Sequence, residues 1–154
     1  MKISHICLVV PLAALNASPA YATGGLGCTI DDANLTLNVD TAVSRGMGGV
    51  FLNLKAEAVI KAKEAPEPLR KLTLDSALVH HWYTNREIKL AFYKETETGE
   101  HASVDITIET TMPEGADEDA EYVGTYELSI FAAGANSDST STVLNGKASC
   151  SAGG

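Results

Sequence analysis

Val104-Asp105-Ile106-Thr107-Ile108-Glu109 reads apolar, polar, apolar, polar from end to end. A period of two marks an extended strand with one face in a core and the other in water. The same alternation recurs along the chain. Leu35, Leu37 and Val39 alternate with Thr36 and Asn38, and Leu52, Leu54, Ala56, Ala58 and Ile60 with Asn53, Lys55 and Glu57. Leu72, Leu74, Ser76 and Leu78 form another such run, as do Ile88, Leu90 and Phe92. Tyr126, Leu128 and Ile130 form the next, and Leu144, Gly146, Ala148 and Cys150 the last. With a short segment at Cys28–Asp31, these runs predict about eight strands.

The breaks between the runs are written in turn residues. Gly46, Gly48 and Gly49 precede one strand, and Pro66 and Pro68 bracket a connection. Thr84-Asn85 and Glu97-Thr98-Gly99-Glu100 have the look of hairpin turns. Lys55 to Ala65 holds good helix formers, but the alternation from Leu52 predicts a strand through Ile60, with a helical turn near Lys61–Ala65. The expectation is an all-β chain, a single antiparallel β-sandwich, with a small β-barrel as the alternative.

Gly124-Thr125-Tyr126-Glu127-Leu128-Ser129-Ile130 resembles a strand near the C-terminus of immunoglobulin-like domains, Gly-x-Tyr-x-hydrophobic-x-hydrophobic. The resemblance implies a sandwich in which Tyr126 forms a corner by bonding back to the backbone. It covers seven residues, and Leu128 stands where that family has its inter-sheet cysteine.

The N-terminus reads as an address. Lys2 supplies a positive start, Ile6 to Leu15 an apolar stretch, and Ala20-Tyr21-Ala22 a small-residue cleavage pattern. Residues 1–22 are therefore expected to be a secretory signal peptide, and residues 23–154 a single periplasmic or extracellular domain. Cys28 and Cys150 are the cysteines left after cleavage, and in an oxidising compartment they are expected to join the two ends.

The full chain carries 20 acidic and 11 basic residues, a formal net charge of −9. That balance argues against a nucleic-acid partner, which requires a basic stripe. No internal stretch approaches ~18 apolar residues, so no membrane span is expected. The charge is unevenly divided. Thr23–Lys94 has eight acids and nine bases, whereas Glu95–Gly154 has twelve acids and Lys147 alone. Such asymmetry invites a cationic protein partner. The carboxylate-dense stretch Glu114, Asp117, Glu118, Asp119 and Glu121 is the expected contact. It lacks the ligand spacing of a known calcium loop.

His80, His81 and Trp82 end one strand, and with His101 they are a candidate ligand or metal cluster. Neighbours on a strand face opposite ways, so His80 and Trp82 share one side, His81 and Tyr83 the other. No nucleophile elbow, zinc-protease motif, phosphate loop or dinucleotide fingerprint is present, and no enzyme activity or cofactor is expected. Asn34-Leu35-Thr36 is a glycosylation sequon. Three functions follow as expectations. The first is a non-enzymatic protein-binding module, inhibitor-like toward a cationic protein. The others are a small-ligand or metal-binding domain and a structural subunit of the cell envelope.

Overall fold

A computed structural model describes residues 23–44, 50–117, 120–134 and 138–153 of the protein. The expected signal peptide at residues 1–22 lies outside the described residues. The chain forms nine strands: β1 (Thr23–Asp31), β2 (Leu35–Ser44), β3 (Val50–Ile60), β4 (Lys71–Thr73), β5 (Leu78–Tyr83), β6 (Glu87–Glu95), β7 (Ala102–Thr111), β8 (Tyr122–Ala133) and β9 (Ser139–Gly153). A short 3-10 helix, Glu67–Leu69, precedes β4, and its Leu69 is buried. All nine strands belong to one hydrogen-bonded sheet in the order β4-β3-β2-β1-β9-β8-β7-β6-β5, and each neighbouring pair is antiparallel.

That order forces curvature. Nine strands laid flat would measure roughly 40 Å from edge to edge. The two edge strands, β4 and β5, are joined by Leu74–Ala77 alone, a link that reaches at most about 17 Å. The sheet therefore curls until its edges come near each other. The link itself changes partners as it crosses. Leu74 N–H donates to Ala56 O on β3 at 2.7 Å, and Ala77 O accepts from Tyr93 N–H on β6 at 2.9 Å. Beyond the link, Phe51 of β3 stacks on His81 of β5 with ring centroids 4.4 Å apart.

The inner face is the alternation seen in the sequence. Phe92, Ile106 and Leu128 stand in one cross-strand row and Leu90, Ile108 and Tyr126 in the next, all buried. Leu26, Ile30, Leu35, Leu37 and Ile60 fill the other half. Among the described residues, no buried side-chain polar atom lacks a hydrogen-bond partner. The expected bridge is present: Cys28 and Cys150 face each other across the β1–β9 ladder, with their sulfurs bonded and both residues buried.

Two stretches depart from the alternation, and both departures are physical. The run Leu72–Leu78 is two strands, because the chain must leave β3 and join β6 within it. The run Leu52–Ile60 slips phase at Asn53, which takes a left-handed conformation (φ 55) where β3 has one residue more than β2. This β-bulge turns Leu52 outward, 42% exposed, and half-buries Phe51 instead. Asparagine is one of the few residues that adopt this conformation at low cost. The hydroxyl of Thr41 fills the bulge by donating to Leu52 O at 3.1 Å. Strand β5 carries a second irregularity at Val79, between the pairs Leu78–Phe92 and His80–Ala91. Both strands that flank the join are thus kinked, a common way of blunting a sheet edge.

Candidate functional site

The strand order decides how charge is distributed in space. Strands β1–β4 form one contiguous block and β5–β9 the other, with no interleaving. The acid-rich stretch Glu95–Gly154 supplies β7, β8 and β9, three adjacent strands, with β1 on one side and β6 and β5, which belong to the near-neutral first half, on the other. On the outer face of β7, Asp105, Thr107 and Glu109 alternate with buried Ile106, Ile108 and Thr110. Glu127 of β8 stands opposite Thr107. Three carboxylates thus surround one threonine on a single face. Among the described residues, no Lys, Arg or His pairs with Asp105 or Glu127, and Glu109 meets Lys89 only at 3.8 Å. Burial pushes the Asp105 carboxyl up from its ordinary value. Nearby on β6, the Tyr93 hydroxyl donates to Glu95 Oε2 at 2.8 Å, a bond that raises the phenol's pKa.

The acidic stretch predicted as a contact lies in the β7–β8 connection. Glu114, Asp117 and Glu121 are exposed, while Glu118 and Asp119 lie outside the described residues. Gly115 has a positive φ of 74, which suits a tight turn after Pro113. Beside this connection an open cleft holds Arg86, Thr111, Met112 and Glu114, with charges of both signs.

His80, His81 and Trp82 all lie on β5 and are all exposed. The register puts His80 opposite Ala91 and Trp82 opposite Lys89, on the outer face. His81 stands opposite buried Leu90 and turns to the join, where it meets Phe51. The division of these side chains between two faces follows the expectation. His101 lies elsewhere, just before β7, with its ring 5.6 Å from that of Phe131. By register it is roughly 20 Å along the strands from His81. The described residues contain no group of three or more His, Cys, Asp or Glu placed to hold a metal ion.

A polar cluster that the sequence reading did not anticipate ties the two blocks together. Tyr126, only 1% exposed, donates its hydroxyl to Asp32 Oδ2 at 2.6 Å, where the immunoglobulin-like resemblance implied a bond to backbone. Asp32 Oδ1 accepts the N–H groups of Asn34 and Leu35 at 2.8 and 3.0 Å, closing the β1–β2 turn. Burial pushes the Asp32 carboxyl up, but the bonds from Tyr126, Asn34 and Leu35, with Lys61 nearby, outweigh it and hold the carboxyl below its ordinary value. Burial and the bond to Asp32 push the Tyr126 phenol up to about 12. Gly146 makes the contact possible, since a Cβ there would run into the Asp32 carboxylate and the Tyr126 ring. In the sequence, the visible sign was a glycine at a core-facing strand position, which often marks a close approach.

Among the described residues, no helix is long and apolar enough to cross a membrane. No protein-family model, curated protein or solved structure matches the chain.

Proposed function

We propose that this chain is an exported, non-enzymatic protein-binding module whose acidic side receives a cationic protein, an inhibitor of a basic secreted enzyme being one concrete form. One observation carries the reading. The acidic half of the sequence forms three adjacent strands, β7–β9, so its charge is gathered in one stretch of the sheet rather than alternated with strands of the near-neutral half. Concentrated charge of one sign raises encounter rates with an opposite partner and discriminates against the wrong ones. Export fits the leader-like residues 1–22 and the Cys28–Cys150 bridge, which belongs to an oxidising compartment.

The test is affinity capture from the native envelope and secreted fractions at low and high salt. A cationic protein held at low salt and released at high salt is the expected result. A variant neutralised at Glu114, Asp117 and Glu121 together with Asp105, Glu109 and Glu127 should lose it. Retention of the same partner by that variant, or equal capture at both salt concentrations, overturns the reading.

A further inference from the structure

The outer face of β5, β6 and β7 combines features that the charge alone does not explain. Trp82 is 52% exposed and Val79 64% exposed, on a strand at the edge of the sheet. His80 stands beside Trp82 on the same face, and the half-buried Tyr93 belongs to it from β6. Tryptophan and tyrosine at a protein surface are among the side chains that most often carry binding energy in protein contacts.

The rows of this face have a definite layout. Trp82, Lys89, Glu109 and Thr125 form one row across the strands. His80, Ala91, Thr107 and Glu127 form the next, and Tyr93, Asp105 and Ser129 the third. The middle row has its small residues, Ala91 and Thr107, at the centre, between the larger His80 and Glu127. Successive rows are about 6.7 Å apart, the distance between alternate residues of an extended chain. Each row also ends in or contains one carboxylate: Glu109, Glu127 and Asp105.

We propose that this face docks an extended protein segment bearing arginines at alternate positions, with one guanidinium laid on the Trp82 indole. The inference rests on the reading of a cationic partner and specifies where and how that partner binds. Alternate side chains of the segment match the row spacing, and the carboxylates complement their charge. Arginine suits the face better than lysine for two reasons. Its flat guanidinium stacks on an indole, and it pairs with a carboxylate through two parallel hydrogen bonds. Lys89 occupies the centre of the Trp82–Glu109 row and holds Glu109 only loosely, so an incoming guanidinium takes its place there.

Trp82 is the sole tryptophan of the chain, so its fluorescence reports this face directly. The experiment titrates the exported protein with the peptide Arg-Thr-Arg-Thr-Arg-Thr-Arg at low salt and follows tryptophan emission. A saturable change in emission is expected, abolished at high salt. Asp105→Asn, Glu109→Gln and Glu127→Gln should each weaken binding by about three- to tenfold, and Lys89→Gln should strengthen it. The lysine counterpart should bind more weakly, and the glutamine counterpart should give no response.

No change in tryptophan emission overturns the proposal, as does equal response to the lysine peptide. A saturable response to a neutral oligosaccharide such as maltohexaose, with none to the arginine peptide, overturns it in favour of a sugar-binding face. The broader reading fails separately. A cationic partner kept by the Asp105/Glu109/Glu127 variant but lost on neutralising Glu114, Asp117 and Glu121 leaves a cationic-partner module standing and removes this face from it. Binding of the peptide without capture of any cationic protein supports the face and overturns the broader reading.

Discussion

The two blocks of strands meet twice, and the two joints are built differently. Between β1 and β9 the joint is backbone: five cross-strand pairs from Gly25–Gly153 to Thr29–Ser149, locked by the Cys28–Cys150 bridge. Just beyond it, where the two strands part, Tyr126 reaches over Gly146 to Asp32. Between β3 and β5 the joint is side chain and linker: a four-residue crossing, one ring stack and two irregular strands. The first joint uses residues 94 or more apart in the chain, whereas the second uses a consecutive link and the Phe51–His81 pair, 30 residues apart. A contact between distant segments costs more chain entropy to form, and here it is the one that carries a covalent lock.

Several changes would test this contrast. Replacing both cysteines by serine should have the largest effect. The bridge spans 122 residues, and loss of such a loop closure costs about 4–5 kcal/mol on the chain-entropy account. Urea denaturation with and without reductant would measure it. Tyr126→Phe should cost about 1–3 kcal/mol, because it leaves a half-buried carboxylate oxygen without its donor. Gly146→Ala should cost a similar amount by crowding the same contact. His81→Ala should cost only about 0.5–1.5 kcal/mol, the value of one ring pair. Its effect should appear as faster hydrogen exchange in β5 with little change in Tm.

Titration sharpens the contrast further, because the first joint holds a shifted acid and a shifted phenol. Asp32 has a lowered pKa in the folded chain, so its contribution is present above the unfolded value and lost as pH falls below about 4. Tyr126 has a raised pKa, so its contribution is complete below about pH 10 and lost as pH climbs toward about 12. Stability followed by circular dichroism should therefore fall at both ends, and Tyr126→Phe should reduce the alkaline fall. If that variant keeps an unchanged alkaline fall, the Asp32–Tyr126 bond is not what holds the joint at high pH.

The strands and the bridge were legible in the sequence because alternation and cysteine position are local or nearly unique signals. Ile106, Ile108 and Leu128 could face only one way once their polar neighbours faced water. The phase slip at Asn53 was not legible, since a bulge leaves the pattern apolar on both sides while moving Leu52 from one face to the other. Nor was the division of Leu72–Leu78, because a strand that changes partners keeps its alternation. The candidate site was legible as charge and as an aromatic cluster, but not as one surface. Trp82 and Glu127 are brought onto one face by register, which depends on pairings that no single segment encodes. The Asp32–Tyr126 pairing was not legible for the same reason, as the two residues lie 94 apart in the chain.

The place of β9 beside β1 has a consequence for how the chain matures. When the chain emerges N-terminus first, hairpins β1–β2 and β2–β3 can form at once, whereas β1 keeps one edge bare until residues 149–153 arrive. Completion of the sheet is therefore the last event and the slow one, as expected for a topology closed by its most distant pairing. Until then the molecule exposes a sticky strand edge, so the interval before the Cys28–Cys150 bridge closes is its most vulnerable period.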